Sequence, residues 1–116
     1  MRVLGPEHPD TLTARYRLAR WIGEAGDPAA ARDQLAELLP VLEHVFGPEH
    51  HRTLRARHEL ARWIGEAGDP AAARGQLAEL LPVRVRVLGP EHPHTLATRY
   101  ELARWSGRAG GGPGTA

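Results

Sequence analysis

Apolar residues return along the chain at helical spacing, in two alternating patterns. From Thr11 to Ala25, Leu12, Leu18, Ala19, Ile22 and Ala25 recur at helical intervals, and the run stops at Gly26, a residue suited to a left-handed C-terminal cap. Asp27-Pro28 then restarts the chain as N-cap and first helical residue. The next stripe, Ala31, Leu35, Leu38, Leu42 and Val45, follows i, i+4, i+7, i+11 and i+14 before Gly47-Pro48 ends it. A turn this short requires antiparallel packing of the two helices. Pro40 and Pro82 fall inside the second pattern, where proline lacks an amide donor and collides with the carbonyl four residues back. A kink or break is expected there, with Val41 to Phe46 as a short continuation. Alternating β-branched runs are missing, so the pattern predicts an all-α fold.

The helix pair recurs. The segment beginning LGPEHP at Leu4 returns at Phe46 and at Leu88, a period of 42 residues (46 − 4 = 88 − 46), and 32 of 42 positions are identical between the first two copies, which excludes chance. Five helices are expected. Residues 1–10 read as the end of a preceding helix and its linker, 11–52 as repeat 1 with helices at about 11–25 and 28–46, and 53–94 as repeat 2 with helices at about 53–67 and 70–88. Residues 95–109 read as the first helix of an incomplete repeat 3, and 110–116 as a disordered Gly/Pro tail. A helix pair cannot bury its apolar stripe alone, so successive pairs stack into an α-solenoid. The third copy decays after Trp105, which predicts that Trp105 and Leu102 are partly exposed, and that this face is covered by another chain or by more of a longer array.

These residues resemble tetratricopeptide repeats in the longer, 42-residue form typical of kinesin light chains and many bacterial proteins. The small-residue pair of the first helix is similar to Leu18-Ala19, Leu60-Ala61 and Leu102-Ala103. The interhelical glycine matches Gly26 and Gly68, the second-helix alanine matches Ala31 and Ala73, and the closing LG-x-x-HP matches Leu4 and Leu88. The family's usual aromatic after the interhelical glycine is replaced by Pro28 and Pro70. HEAT and armadillo arrays have similar periods but explain this spacing less well. The resemblance implies a non-catalytic scaffold that binds a peptide or helix of a partner in a concave groove lined by the first helices. It also implies an alternative, part of the sensor array of a larger signalling NTPase or regulator, and the incomplete array itself offers another, a self-associating module joined through its end faces.

Composition narrows the function. The 116 residues carry 15 basic, 14 acidic and 7 histidine side chains and no cysteine. A net charge of +1 argues against nucleic-acid and anionic-membrane partners, and the missing cysteine excludes disulfides and thiolate chemistry. No apolar run approaches the roughly 20 residues of a membrane span, and a cytoplasmic protein is expected. Every basic residue is Arg, and Lys and Asn are absent, the signature of a GC-rich bacterial genome such as an actinomycete's. Part of the Arg content therefore reflects codon usage. Ser106 is the sole serine, no phosphate-binding loop is present, and His8, His50 and His92 simply repeat with the linker, so no catalytic residue, metal site or cofactor is expected.

The resemblance places Thr13, Tyr16, Arg17, Arg20 and Glu24 toward the groove, with Arg55, His58, Glu59, Arg62 and Glu66, then Ala97, Tyr100, Glu101, Arg104 and Arg108, as the later copies. Candidate partner-binding residues are Tyr16, Arg17, Arg20, His58, Glu59, Arg62, Tyr100, Glu101, Arg104 and Arg108. Arg20, Arg62 and Arg104 form a ladder able to grip a carboxylate or acidic peptide. The alternative is that Arg20–Glu24 and Arg62–Glu66 are ordinary i,i+4 surface pairs. Arg104 faces Arg108 instead of Glu, so the basic end of the groove is expected at the C-terminus. Tryptophans are expected between helices.

Overall fold

The computed structural model describes residues 5–109, as five helices and no strand. They are α1 (Pro9–Glu24), α2 (Pro28–Phe46), α3 (His51–Glu66), α4 (Pro70–Leu88) and α5 (Pro93–Ala109). Each packs on its sequence neighbours, giving an elongated array of 61 × 33 × 19 Å. The fold is an all-α solenoid of antiparallel helix pairs. The preceding helix end and the disordered tail expected from the sequence fall on residues 1–4 and 110–116, outside the described residues.

Local chemistry sets the helix ends. At Gly26 (φ 111°) and Gly68 (φ 113°) the chain turns left-handed, so that Gly26 N–H reaches Gly23 O at 3.0 Å and Asp27 N–H reaches Ile22 O at 3.1 Å. That pair of bonds closes the carbonyls of the last turn, and only glycine enters this conformation without a Cβ penalty. Asp27 and Asp69 then accept from the amides of Ala30 and Ala72, each at 3.1 Å, to cap α2 and α4. The first helix of each pair starts two residues before the apolar pattern does. His8, His50 and His92 each accept an amide N–H at Nδ1, from Asp10 (3.1 Å), Arg52 (3.1 Å) and His94 (3.0 Å). The repeated linker histidine is an N-cap.

Two expectations about the helices are corrected. Of the kink or break expected at Pro40 and Pro82, the break does not occur: α2 and α4 each run through the proline as one helix. Both prolines are exposed, as are Ala36 and Ala78, whose carbonyls lose their donors, so the freed groups lie on the solvent side of the helix and not in the core. On α1 the buried stripe is Leu12, Tyr16, Ala19 and Gly23, whereas Leu18 is 57% exposed and Ala25 is on the surface. The second-helix stripe is buried as expected at Ala31, Leu35, Leu38 and Leu42, with Val45 packed at its edge.

The core forms two clusters. The first joins α1, α2 and α3 through Leu12, Tyr16, Leu35, Leu38, Leu60 and Trp63; the second joins α3, α4 and α5 through Leu54, Ala61, Leu77, Leu80 and Trp105. At about 1.5–3 kcal/mol for each fully buried large side chain, this stacking is what holds the pairs together. Trp63 is buried between helices as expected, whereas Trp105 and Trp21 reverse the sequence expectation. Trp105 is 1% exposed and Trp63 4%, while Trp21 is 75% exposed. Each buried indole lies on a glycine of the preceding first helix: Trp63 on Gly23 and Trp105 on Gly65. Among the described residues α1 has no such preceding neighbour, and Trp21 is the open indole. Leu102 is partly buried against the second cluster.

Candidate functional site

The expected Arg ladder exists as a row, but its charge is consumed. Arg20 contacts Glu24 at 3.4 Å and Glu59 at 3.7 Å. Arg62 lies 3.8 Å from Glu59 and 4.0 Å from Glu24, not against Glu66. Arg104, expected to be unpaired, meets Glu66 at 2.6 Å and Glu101 at 3.4 Å. The hydrogen bond that Arg104 donates to Glu66, with the nearby Glu101 carboxylate, raises the Arg104 pKa further above its ordinary value, fixing the positive charge inside the network. Glu59 and Glu101 also accept from the indole Nε1 of Trp63 (3.2 Å) and Trp105 (3.0 Å). Arg62 and Arg104 lie over those rings at 4.4 Å, and Arg108 lies over Trp105 at 4.9 Å. The ladder therefore clamps one repeat to the next, and the expected C-terminal basic end is not formed by Arg104.

A cluster of unpaired arginines sits elsewhere. A cleft of about 190 Å³ opens between α1 and α3, floored by Leu12 and Leu42 and walled by Arg17 of α1 and by Arg52 and Arg55 of α3. None of these three arginines forms an ion pair among the described residues. Two are held by rings: Arg55 lies 4.6 Å over Tyr16 and Arg52 5.0 Å over Phe46. Tyr16, expected to present itself to a partner, is only 7% exposed and is a wall residue of this cleft. Burial, then the Glu59 carboxylate, pushes its phenol above the ordinary value, so the hydroxyl stays protonated as a donor. The His51 imidazole is held below its ordinary value by burial and then by His50, Arg52 and Arg55, the imprint of a positive local potential.

In the next pair the equivalent place is filled. Arg84 stands where repeat 1 has Leu42 and is 3% exposed. Its Nη1 donates to His94 O at 3.0 Å and to Thr98 Oγ1 at 2.9 Å, and Nε has no partner. Thr98 Oγ1 also contacts His58 Nδ1 at 3.1 Å. Burial, followed by Arg84, Arg62 and His94, lowers the His58 pKa to about 4, so this imidazole is neutral at pH 7. His58 is thus half-buried and joined to the buried polar pair of Arg84 and Thr98. Tyr100, at 70% exposed, is the one first-helix aromatic of its column that faces solvent. Sequence reading missed Arg52, which falls outside the groove positions carried over by resemblance. The signal available was its place one turn before Arg55, with no acidic residue between.

Tetratricopeptide repeat is the family profile that matches, over residues 11–52 and 53–94. The chain belongs to this family. A solved structure of nearly identical TPR-like repeats, from a Podosopora anserina protein assigned as a kinesin light chain, superposes with a TM-score of 0.84 at 30% identity, covering 93% of this chain and 51% of that one. A single-substitution variant of the same protein gives 0.77 at 31% identity, covering 92% and 50%. The chain thus spans about half the length of these solved arrays. No curated protein matches it significantly. Repeats of this family mediate protein–protein interaction, and no helix among the described residues is long and apolar enough to cross a membrane.

Proposed function

We propose that the chain is a non-catalytic interaction scaffold that takes an acidic segment of a partner protein into the cleft between α1 and α3. One observation carries the reading: Arg17, Arg52 and Arg55 converge on an open cleft without a carboxylate, while the other first-helix arginines at the repeat junctions are neutralised by Glu24, Glu59, Glu66 and Glu101. The apolar floor of Leu12 and Leu42 suits the methylene stem of a glutamate, and the guanidinium groups supply paired donors to its head. Ring stacking restrains Arg52 and Arg55, which lowers the entropy lost when they grip a ligand.

The test is fluorescence anisotropy with a short labelled Glu-rich peptide and its Gln-substituted counterpart. The Glu form binds, the affinity falls with added salt, and Arg52→Glu combined with Arg55→Glu abolishes it. Unchanged binding in that double variant, or equal binding of the Gln form, refutes the reading. Arg17→Ala weakens binding, whereas Tyr100→Ala, outside the cleft, leaves it unchanged.

A further inference from the structure

The cationic cleft has a counterpart one repeat further on. A shift of 42 residues carries its lining from α1 and α3 onto α3 and α5: Tyr16 becomes His58, Arg52 becomes His94, Arg55 becomes Ala97, and the floor residue Leu42 becomes Arg84. Thr13 becomes Arg55, so this one side chain belongs to both places. The first cleft holds its arginines on the walls above an apolar floor. The second has its arginine in the floor.

Arg84 is a buried cation without a counter-ion among the described residues. It is 3% exposed, and its Nη1 donates to two neutral acceptors, His94 O at 3.0 Å and Thr98 Oγ1 at 2.9 Å. Nε is sealed from solvent with no partner, whereas Nη2, which also has none, is not sealed. Burial lowers the Arg84 pKa; the Tyr16 phenol opposes this, Arg55 and Arg57 add to it, and no carboxylate is among the charges that act on it. Glu59 stands where the first cleft has Arg17, but it is taken up by Arg20 at 3.7 Å, Arg62 at 3.8 Å and the Trp63 indole at 3.2 Å. The positive field extends to His94, whose imidazole is held below its ordinary value by burial and then by Arg84, His92, Arg55 and His51. A guanidinium this far removed from water carries a desolvation cost that an incoming anion offsets. Leucine, the residue of repeat 1, would fill the place without that cost.

We propose that Arg84 is a second anion subsite, which takes a further carboxylate of the acidic segment whose first carboxylate enters the cleft between α1 and α3, with Arg55 shared between the two. The proposal rests on that reading of the first cleft and adds the spacing of the ligand's charges. Packed neighbouring helices such as α1 and α3 lie roughly 10 Å apart, a distance that an extended chain covers in about three residues at ~3.3 Å each. The ligand is therefore an extended segment of the form Glu-x-x-Glu.

The experiment is fluorescence anisotropy with labelled Glu-x-x-Glu, x being uncharged, and with the two peptides in which one Glu is replaced by Gln. The proteins are the parent, Arg84→Leu, and Arg84→Gln, which keeps a donor for His94 O and Thr98 Oγ1 without the charge; urea midpoints certify the fold. The two-Glu peptide binds the parent about tenfold tighter than either single-Gln form, the scale of one charge-assisted hydrogen bond. Both Arg84 variants reduce its affinity to that of one single-Gln form, and that form binds parent and variants alike. Two-Glu binding untouched by the Arg84 variants, while Arg52→Glu with Arg55→Glu still abolishes it, overturns the proposal and leaves the first cleft standing. An equal loss for every peptide also overturns it, because Arg84 then supports the fold without touching the ligand. If no Glu form binds the parent, the reading of the first cleft fails and the second subsite with it.

Discussion

One substitution made at two helical glycines separates the packing argument from generic helix propensity. Gly65 in α3 and Gly75 in α4 are both interior helical residues, but nothing lies within 4 Å of a Cβ built at Gly75, while three atoms of the Trp105 ring lie 2.7 Å from one built at Gly65. Replacing glycine by alanine inside a helix stabilises by roughly 0.5–1 kcal/mol through the unfolded chain's lost freedom. Gly75→Ala receives that gain undiminished. Gly65→Ala receives it too, but carbon contacts are comfortable only at about 3.5–4.0 Å, so the indole has to retreat by close to 1 Å. Trp105 is 1% exposed and closed in by Leu77, Leu80 and Ala73, which leaves it nowhere to go. Overpacking of this kind costs roughly 1–3 kcal/mol. Because the propensity gain cancels between the variants, the difference between them isolates the clash, at about 1–3 kcal/mol in urea unfolding followed by far-UV circular dichroism. A double-mutant cycle sharpens the attribution: Trp105→Phe shortens the ring, and the cost of Gly65→Ala shrinks in that background. If Gly65→Ala stabilises as much as Gly75→Ala, the indole is not seated on Gly65.

The other expectations follow from single features. Trp63→Ala costs about 3–5 kcal/mol in the same unfolding assay, whereas Trp21→Ala stays within about 0.5 kcal/mol, because only the first leaves a hole in a core. Arg84→Leu, which restores the residue of repeat 1, is neutral or stabilising by about 1 kcal/mol, since the buried guanidinium has an unpartnered Nε and no carboxylate beside it. A loss above about 2 kcal/mol would show the Arg84–Thr98 bond to be structural cement. Stability falls on acidification between His58's ordinary value of 6.5 and its folded value of about 4, because over that range the unfolded chain binds a proton that the folded chain excludes; the effect is bounded at about 3 kcal/mol. His51 and His94, also depressed, act in the same direction, and His58→Tyr, the residue found at Tyr16 and Tyr100, flattens the acid limb of a pH titration of urea midpoints.

The helices were legible because their signals are local. The Gly26-Asp27-Pro28 turn names a left-handed cap, an N-cap carboxylate and a first-turn proline in three consecutive residues, and all three act in those roles. The stripe from Ala31 to Leu42 needed only a 3.6-residue period. What escaped was whatever depends on a neighbour that the pattern does not display. Leu18 and Leu60 are the same residue in the same local sequence, yet one is 57% exposed and the other 8%, because Leu60 packs into the cluster with α1 and α2, while no described element packs on the Leu18 face of α1. Tyr16 reads as a surface aromatic until α2 and α3 close around it. The break expected at the proline did not occur for a related reason: the cost of a missing donor depends on whether the orphaned carbonyl is buried, and residue 36 is exposed.

A translational repeat also hides its own polarity. A 42-residue period is unchanged by shifting along the chain, so it states that each tryptophan packs between helices without stating whether the partner comes before or after it. Decay of the third copy suggested that Trp105 lacked its cover, which assumes that the cover follows in sequence. The glycine contacts show that it precedes: Trp105 needs Gly65, and repeat 2 is intact. The same direction explains the charges. Arg62 and Arg104 reach back to Glu24 and Glu66, so the variation from Glu to Arg at position 108 leaves Arg104 paired and alters only what could follow α5. The cationic cleft obeys a different rule. It lies between first helices of successive pairs, where Thr13/Arg55 and Arg17/Glu59 differ between copies, so its charge is set by residues that the packing does not constrain, and one exchange, Arg17 to Glu, would set a carboxylate among the remaining two arginines.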